Sequence, residues 1–390
     1  MYPTISDLLQ DLFGINIPLP IQSFGFFVAI SFLLAAYTLS LELKRKENQG
    51  LLKPTTRKVL VGAPATKQEI LFNAIIGFLV GYKLLFFLAN YSELVDNPQK
   101  ALLSTNGSII GGIILAAGLG YWKFREKNNV KREKPEWVEE TVAPHEMVGN
   151  ITMIAAVSGL IGAKIFHNLE YPQDLIDDPI GSLLSFSGLT MYGGLIVAFF
   201  ATTRYGKKHG IPVLHLCDAT AAGLMLAYGF GRIGCQVAGD GDWGIVNLHP
   251  QPSWLGFLPD WFWSYNYPHN VINEGIPIPG CIGKHCSMLA QPVFPTPLYE
   301  SIICIAFFFL LWSVRKKFNV PGRFFSLYIL LNGIERFAIE SIRVNSKYHV
   351  GGLAFTQAQL ISLLLILGGV AGLVYFRKLR DEGSQLKVES

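Results

Sequence analysis

Along the chain, runs of about 20 mostly apolar residues alternate with short polar stretches, a period too long for strands and long enough for bilayer-crossing helices. Nine such runs stand out: residues 20–41, 70–90, 107–124, 147–166, 188–203, 213–235, 298–314, 323–342 and 353–376. The fifth is the shortest. The first is preceded by Asp7 and Asp11 and by no Lys or Arg, so it lacks the basic start of a cleaved signal peptide and reads as a permanent helix. The intervening segments alternate in charge. Basic residues crowd 42–69, 123–145, 204–212, 315–323 and the tail, whereas 91–106, 167–187 and the long segment 236–297 hold few or none. Basic loops face the cytoplasm. The pattern therefore predicts an all-α integral membrane protein of about nine transmembrane helices, N-terminus outside and C-terminus cytoplasmic, with an irregular extracytoplasmic loop over 236–297.

Composition agrees. Apolar residues make up 51% of the 390, charged residues only 15%, and 27 are Phe, which excludes disordered, collagen-like and coiled-coil chains. One polytopic domain over 1–390 is expected. Five cysteines do not make a disulfide scaffold, but Cys281 and Cys286 fall in the outer loop, where a disulfide is favoured over a metal site. Cys217 and Cys304 read as core residues. The loop's Trp243, Trp254, Trp261, Trp263, Tyr265 and Tyr267 suit a membrane interface. The basic and acidic residues of 123–145 read as a solvated cytoplasmic hairpin. No P-loop, Rossmann glycine pattern, zinc-protease motif or nucleic-acid-binding surface is present.

Shifting the chain by 81 positions aligns 81–107 with 162–188, with ten of 27 positions identical, among them Gly81/Gly162, Lys83/Lys164, Asp96/Asp177, Pro98/Pro179 and Gly107/Gly188. A one-residue slip then pairs Gly111 and Gly112 with Gly193 and Gly194. Lys and Asp-x-Pro matches are not explained by shared hydrophobicity, so 70–124 and 147–203 read as two copies of one hairpin, entering the membrane with the same orientation. Parallel repeats occur in transporters, and an anion or lipid transporter is one alternative reading.

Ionisable residues within a span are costly and usually face a cavity or partner. Arg336, Glu340 and Arg343 recur at i, i+4 and i+7 and are expected on one helix face. Two Arg against one Glu leave a positive surplus. Arg232 ends the sixth span among Gly229, Gly231 and Gly234, beside Cys235, and Tyr192-Gly193-Gly194 opens the fifth. At a rise of ~1.5 Å per residue, Arg336 lies ~20 Å from the inner surface, Arg232 and Arg343 ~30 Å, and Tyr192 ~6 Å below the outer surface. All converge on the outer half of the bilayer, without the two-sided polar path that transport needs. Guanidiniums chelate phosphate through paired hydrogen bonds, so an Arg-rich cavity at this depth fits an anionic phospholipid.

These residues resemble the prolipoprotein diacylglyceryl transferase family over nearly the whole chain except about 42–145. GRIGCQVAGDGDWG at 231–244 is similar to the family's G-R-x-G-N-F-I-N-G-E-x-x-G, FPTPLYE at 294–300 to H-P-S-Q-L-Y-E, RFAIESIR at 336–343 to R-F-x-x-E-x-x-R, and GLTMYGGL at 188–195 to G-M-S-F-H-G-G-L. Four ordered motifs at compatible spacing make a specific signal. There are departures. Tyr192 replaces the family His, Cys235 the signature Asn and Asp240 the signature Glu; one extra residue precedes Gly244, and Phe24 takes the place of the first-span Tyr. Seven family helices become nine, the extra pair being the first hairpin copy.

The resemblance implies a bacterial inner-membrane enzyme that transfers the sn-1,2-diacylglyceryl group of phosphatidylglycerol to the lipobox cysteine of prolipoprotein signal peptides, releasing glycerol phosphate. It implies no cofactor and no metal; its partners are these substrates and membrane lipids, not nucleic acid. Arg232 and Arg336 are expected to hold the phosphate and stabilise its developing charge. Glu340 and Arg343 orient Arg336 or bind the headgroup. A phenol titrates at about pH 10, so Tyr192 is a donor to the phosphate first and a base second. Gly193, Gly194, Gly234, Cys235, Asp240, Tyr299 and Glu300 are expected to line the substrate. A catalytically silent, lipid-binding relative is the second alternative, since changes at Tyr192 and Cys235 fall on the acid–base chemistry.

Overall fold

A computed structural model describes residues 1–385 apart from 16, 97, 133, 186–187, 346–347 and 351–352. In chain order its elements are α1 (Ile5–Phe13), α2 (Ser23–Asn48), β1 (Thr55–Val61), α3 (Lys67–Ala89), α4 (Tyr91–Asp96), α5 (Pro98–Leu103), α6 (Ile109–Asn129), β2 (Glu136–Val142), α7 (Val148–Glu170), α8 (Pro172–Asp177), α9 (Pro179–Leu184), α10 (Met191–Lys208), α11 (Val213–Ala238), α12 (Thr296–Val314), α13 (Arg323–Glu340) and α14 (Gln357–Gln385). Each of the nine apolar runs overlaps a helix of 18 residues or more, the last starting only at Gln357 because Leu353–Phe355 pairs as a strand with Tyr348–Val350. Among the described residues six helices are long and apolar enough to cross a membrane: Ser23–Asn48, Lys67–Ala89, Pro144–Glu170, Val213–Ala238, Thr296–Lys317 and Gln357–Lys378. In the other three no 18-residue stretch holds fewer than three charged residues: Lys123, Arg125, Glu126 and Lys127 fall on α6, Arg204, Lys207 and Lys208 on α10, and Arg323, Glu335, Arg336 and Glu340 on α13. The chain is a multi-pass membrane protein.

The chain divides into two compact units. The first comprises 1–17, 21–52 and 203–390, the second 18–20 and 53–202. In the first, α11 is the central helix, packed against α2, α12 and α13. Its small residues permit this: Ala221 and Ala222 join Met225, Leu226, Cys304, Phe308, Leu311 and Phe324 in the core, and a Cβ on Gly223 would run into Thr38 Oγ1 of α2. Close backbone approach through small residues is the usual means of packing membrane helices. Cys217, Cys235 and Cys304 are buried and free.

The start of α13 is fixed from another helix. Its N-cap residue is Gly322, which has no side chain to cap with. The buried Asp218 of α11 instead accepts the N–H groups of Gly322 and Phe325, each at 2.9 Å, with Lys46 Nζ at 3.8 Å. Removing it would orphan two helix-terminal donors and a buried lysine. Asp218→Ala should therefore lower unfolding stability by about 2 kcal/mol, measured by thermal or denaturant unfolding in detergent, with Asp218→Asn recovering part of the loss.

In the second unit, α3–α6 and α7–α10 follow the same order. The bounds of α4 and α8, and of α5 and α9, differ by 81 residues, while α6 and α10 begin 82 apart. These are the offset and slip of the sequence repeat. In each of the two runs a lysine ties the long helix to the second short helix and the connector after it. Lys83 Nζ donates to the carbonyls of Ala101 (3.0 Å), Ser104 and Asn106 (2.9 Å), and Lys164 Nζ to the Ser182 carbonyl (2.8 Å) and Ser185 Oγ (2.9 Å). The cytoplasm-assigned polar segments hold a strand pair that hydropathy does not reveal. Antiparallel β1 and β2 join Thr55↔Val142 through Val61↔Glu136, with Arg57 and Glu140 paired at 2.8 Å. Segment 123–145 thus contributes the end of α6 and a strand rather than a self-contained hairpin.

Candidate active site

The site in the first unit begins with the glycine-rich end of α11. Arg232 is 9% exposed, far too deep for an unpaired charge. It forms ion pairs with Asp242, just beyond the helix, and with Glu300 of α12. Its guanidinium also lies over the Tyr228 ring, 5.2 Å from the centroid, one helical turn back. Glu300 is completely buried. It collects Arg336 Nη1 at 3.4 Å and Arg343 Nη1 at 3.1 Å as well, and accepts a hydrogen bond from the Tyr228 hydroxyl at 3.4 Å. Arg336 Nη2 pairs with Glu340 at 3.1 Å, and Glu340 accepts from Asn345 Nδ2 at 2.6 Å. Arg343 Nη2 reaches Asp242 Oδ1 at 2.5 Å.

Two expectations change. Helix α13 ends at Glu340, so Arg343 does not extend the Arg336–Glu340 face as a third helical position. It lies past the terminal turn, in a bridge with Gly244, with Ile245 N–H donating to the Ile342 carbonyl at 2.8 Å. That bridge turns its side chain back to Glu300 and Asp242. Nor is there a positive surplus among the described residues. Three guanidiniums face three carboxylates, because Glu300 and Asp242 join Glu340.

The loop after α11 is built for this contact. Gly239 and Gly241 take left-handed φ values of +65° and +97°, a conformation that favours glycine, and bring Asp242 back over the helix end. Thr296 Oγ1 then holds the Asp242 carbonyl at 2.8 Å. Burial works against the charge of Asp242, but Arg232 and Arg343 hold its carboxyl below the usual carboxylate range. Asp240 differs. Burial, then the neighbouring Asp242, pushes its carboxyl up, and it accepts the Asp242 N–H at 3.4 Å. Sulfur and carboxylate donors of Cys235, Asp240 and Asp242 lie within 4.8 Å of one another, yet both oxygens of Asp242 already serve guanidiniums. Cys235 Sγ is 3.9 Å from Arg232 Nη1.

The remaining expected residues are more dispersed. The hydroxyl of Tyr299 donates to the Phe262 carbonyl at 2.7 Å, engaging the loop over 236–297 rather than the arginines. Gly234 gives α2 room to approach, with a would-be Cβ 3.0 Å from Phe27 Cβ. Tyr192, Gly193 and Gly194 belong to the second unit, at the start of α10, where a Cβ on Gly193 would lie 2.7 Å from the Gly162 carbonyl of α7. Sequence reasoning missed Asp242, Tyr228 and Glu335. The last is buried on α13 with neither carboxylate oxygen hydrogen-bonded among the described residues. The extra residue before Gly244 was the available signal for Asp242, since it leaves two acids competing for one signature position.

The loop over 236–297 is tied together by Asn270, which donates to the carbonyls of Tyr267 and Glu274 at 3.2 and 3.0 Å. Tyr267 is buried and donates to Gln236 at 2.7 Å. The Cys281–Cys286 disulfide is formed.

Compared with known proteins, residues 129–375 match the family model described as prolipoprotein diacylglyceryl transferase. Relatives named phosphatidylglycerol–prolipoprotein diacylglyceryl transferase include one from Clostridium tetani, 30% identical over 223 residues, 57% of this chain and 77% of that protein. One from Leptospira interrogans is 25% identical, covering 60% and 80%. Another from Corynebacterium glutamicum is 25% identical, covering 70% and 78%.

Proposed function

The chain belongs to the prolipoprotein diacylglyceryl transferase family, and on that premise we propose that it transfers the sn-1,2-diacylglyceryl group of phosphatidylglycerol to the lipobox cysteine of prolipoproteins. In this reaction the cysteine gives up its thiol proton, its sulfur bonds to the glycerol carbon, and the C–O bond breaks with its electron pair going to the phosphate oxygen. A thioether and glycerol phosphate result. The observation that carries this reading is the meeting of Arg232, Arg336 and Arg343 around Glu300 from three separate elements. Preorganised guanidiniums stabilise charge as it develops on a leaving phosphate.

Arg232, Arg336 and Arg343 hold the phosphate, and Glu340 orients Arg336. Gly193 and Gly194 let α10, which carries Tyr192, approach α7 within the second unit. A free thiol has a pKa of about 8.5, so the guanidinium field also favours the incoming thiolate. The nine helices cross the bacterial cytoplasmic membrane with the N-terminus outside, and the site lies in the outer half of the bilayer. The hairpins at 70–124 and 147–203 are duplicates, a reading supported by the common 81-residue offset and the equivalent Lys83 and Lys164 ties. Exposed Leu248, Trp254 and Phe257 let the outer loop rest on the headgroups.

The test is to incubate purified protein with phosphatidylglycerol and a lipobox peptide and weigh the peptide. A diacylglyceryl mass shift that disappears with Arg232→Ala is expected; no shift from folded protein defeats the proposal. Arg336→Lys keeps the charge but cannot span Glu300 and Glu340 with one planar group. Its transfer rate should fall about tenfold or more, and near-wild-type transfer would remove Arg336 from its role.

A further inference from the structure

Among the described residues the three guanidiniums already pair with three carboxylates, so an incoming phosphodiester must compete with one of these for its contacts. One carboxylate must give way. Glu300 and Glu340 have side chains 0% exposed and stand on helices; the Asp242 side chain is 34% exposed and comes from a loop. Asp242 also occupies the position a phosphate would take. Its Oδ2 is on Arg232 Nη1 and its Oδ1 on Arg343 Nη2, a two-oxygen bridge between guanidiniums such as phosphate oxygens make. Its backbone is fastened by Thr296 Oγ1 at 2.8 Å, and the Gly244 N–H donates to the Phe294 carbonyl at 2.8 Å. Leaving the site therefore needs only rotation of the Asp242 side chain, not opening of the loop.

We propose that Asp242 is an exchangeable occupant of the phosphate position. It bridges Arg232 and Arg343 while no lipid is bound, rotates outward when the phosphodiester of an anionic lipid replaces it, and returns to displace the product. The inference rests on the transferase reading above. With Asp242 rotated out, three guanidiniums face two carboxylates and leave one positive charge, matching a monoanionic diester. Once the thiol proton has left, sulfur–carbon bond formation and C–O cleavage put a second negative charge on the departing glycerol phosphate until it takes up a proton. That product exceeds the site's surplus, and the returning carboxylate repels it. An internal competitor lowers apparent affinity by the fraction of time it occupies the site.

The test uses the full-length protein in phosphatidylcholine nanodiscs with and without phosphatidylglycerol, comparing wild type, Asp242→Asn and Asp242→Ala. Glycerol phosphate, a soluble probe that needs no turnover, should bind the variants about fivefold more tightly. The KM for phosphatidylglycerol should fall with it, while kcat drops as product release slows. A carboxylate that merely holds the arginines in place predicts the reverse, and unchanged or weaker binding with an unchanged or raised KM overturns the proposal. So does failure of both variants to fold, because the carboxylate would then be unable to leave. Absence of transfer by the wild type defeats the transferase reading alone, since glycerol phosphate binding still judges the exchange. Transfer by the wild type with weaker binding by the variants defeats the exchange alone.

Discussion

Replacing Glu300 by Gln should reduce diacylglyceryl transfer by about a hundredfold or more and lower unfolding stability by about 3–5 kcal/mol. Glu300 is 0% exposed and shared by Arg232, Arg336 and Arg343. Glutamine preserves shape and one acceptor oxygen but removes the charge that three buried guanidiniums converge on. Those guanidiniums would repel one another across a medium that screens poorly. Glu300→Asp, which keeps the charge on a shorter stem, should retain more stability than the Gln variant. Thermal unfolding in detergent and the peptide mass-shift assay check both parts. Wild-type stability in Glu300→Gln would mean that the arginines are held by Asp242 and Glu340 without it.

Hydropathy was sufficient to locate the long helices among the described residues, because a run of apolar residues about a bilayer thick leaves little else for the backbone to do. It did not distinguish α6, α10 and α13, where charges fall inside every 18-residue stretch, and it could not find β1 and β2. Their pairing joins segments on opposite sides of a whole hairpin, and exposed strand faces carry no apolar alternation to betray them. The site was legible as a set of arginines but not as a charge balance. Arg336 and Glu340 are one turn apart and their pairing follows from spacing, whereas the links from Glu300 to three arginines run between elements. Asp240 drew attention by its place in the signature, yet two left-handed glycines turn Asp242 to the arginines instead. Loop conformation, not residue type, made that choice.

Gly244→Ala should cost about 3 kcal/mol of stability and reduce transfer by more than about tenfold, although the glycine has no side chain to act on substrate. A Cβ there would lie 2.5 Å from the Ile342 carbonyl oxygen and 2.9 Å from both Phe294 Cβ and Thr296 Cγ2. Backbone on one side and the start of α12 on the other leave no flexible neighbour to yield. The displaced strand segment would be the one that bridges to Arg343, pulling that guanidinium from Glu300 and Asp242. The loss should therefore appear as a raised KM for phosphatidylglycerol as well as a lower unfolding temperature. Gly368→Ala on α14 is the control, since its Cβ would meet nothing within 4 Å, and an alanine in a helix interior is at least as favourable as glycine. Equal behaviour of the two variants would show that the tight fit at Gly244 is relieved by movement elsewhere, and that the bridge to Arg343 does not set the position of the arginine.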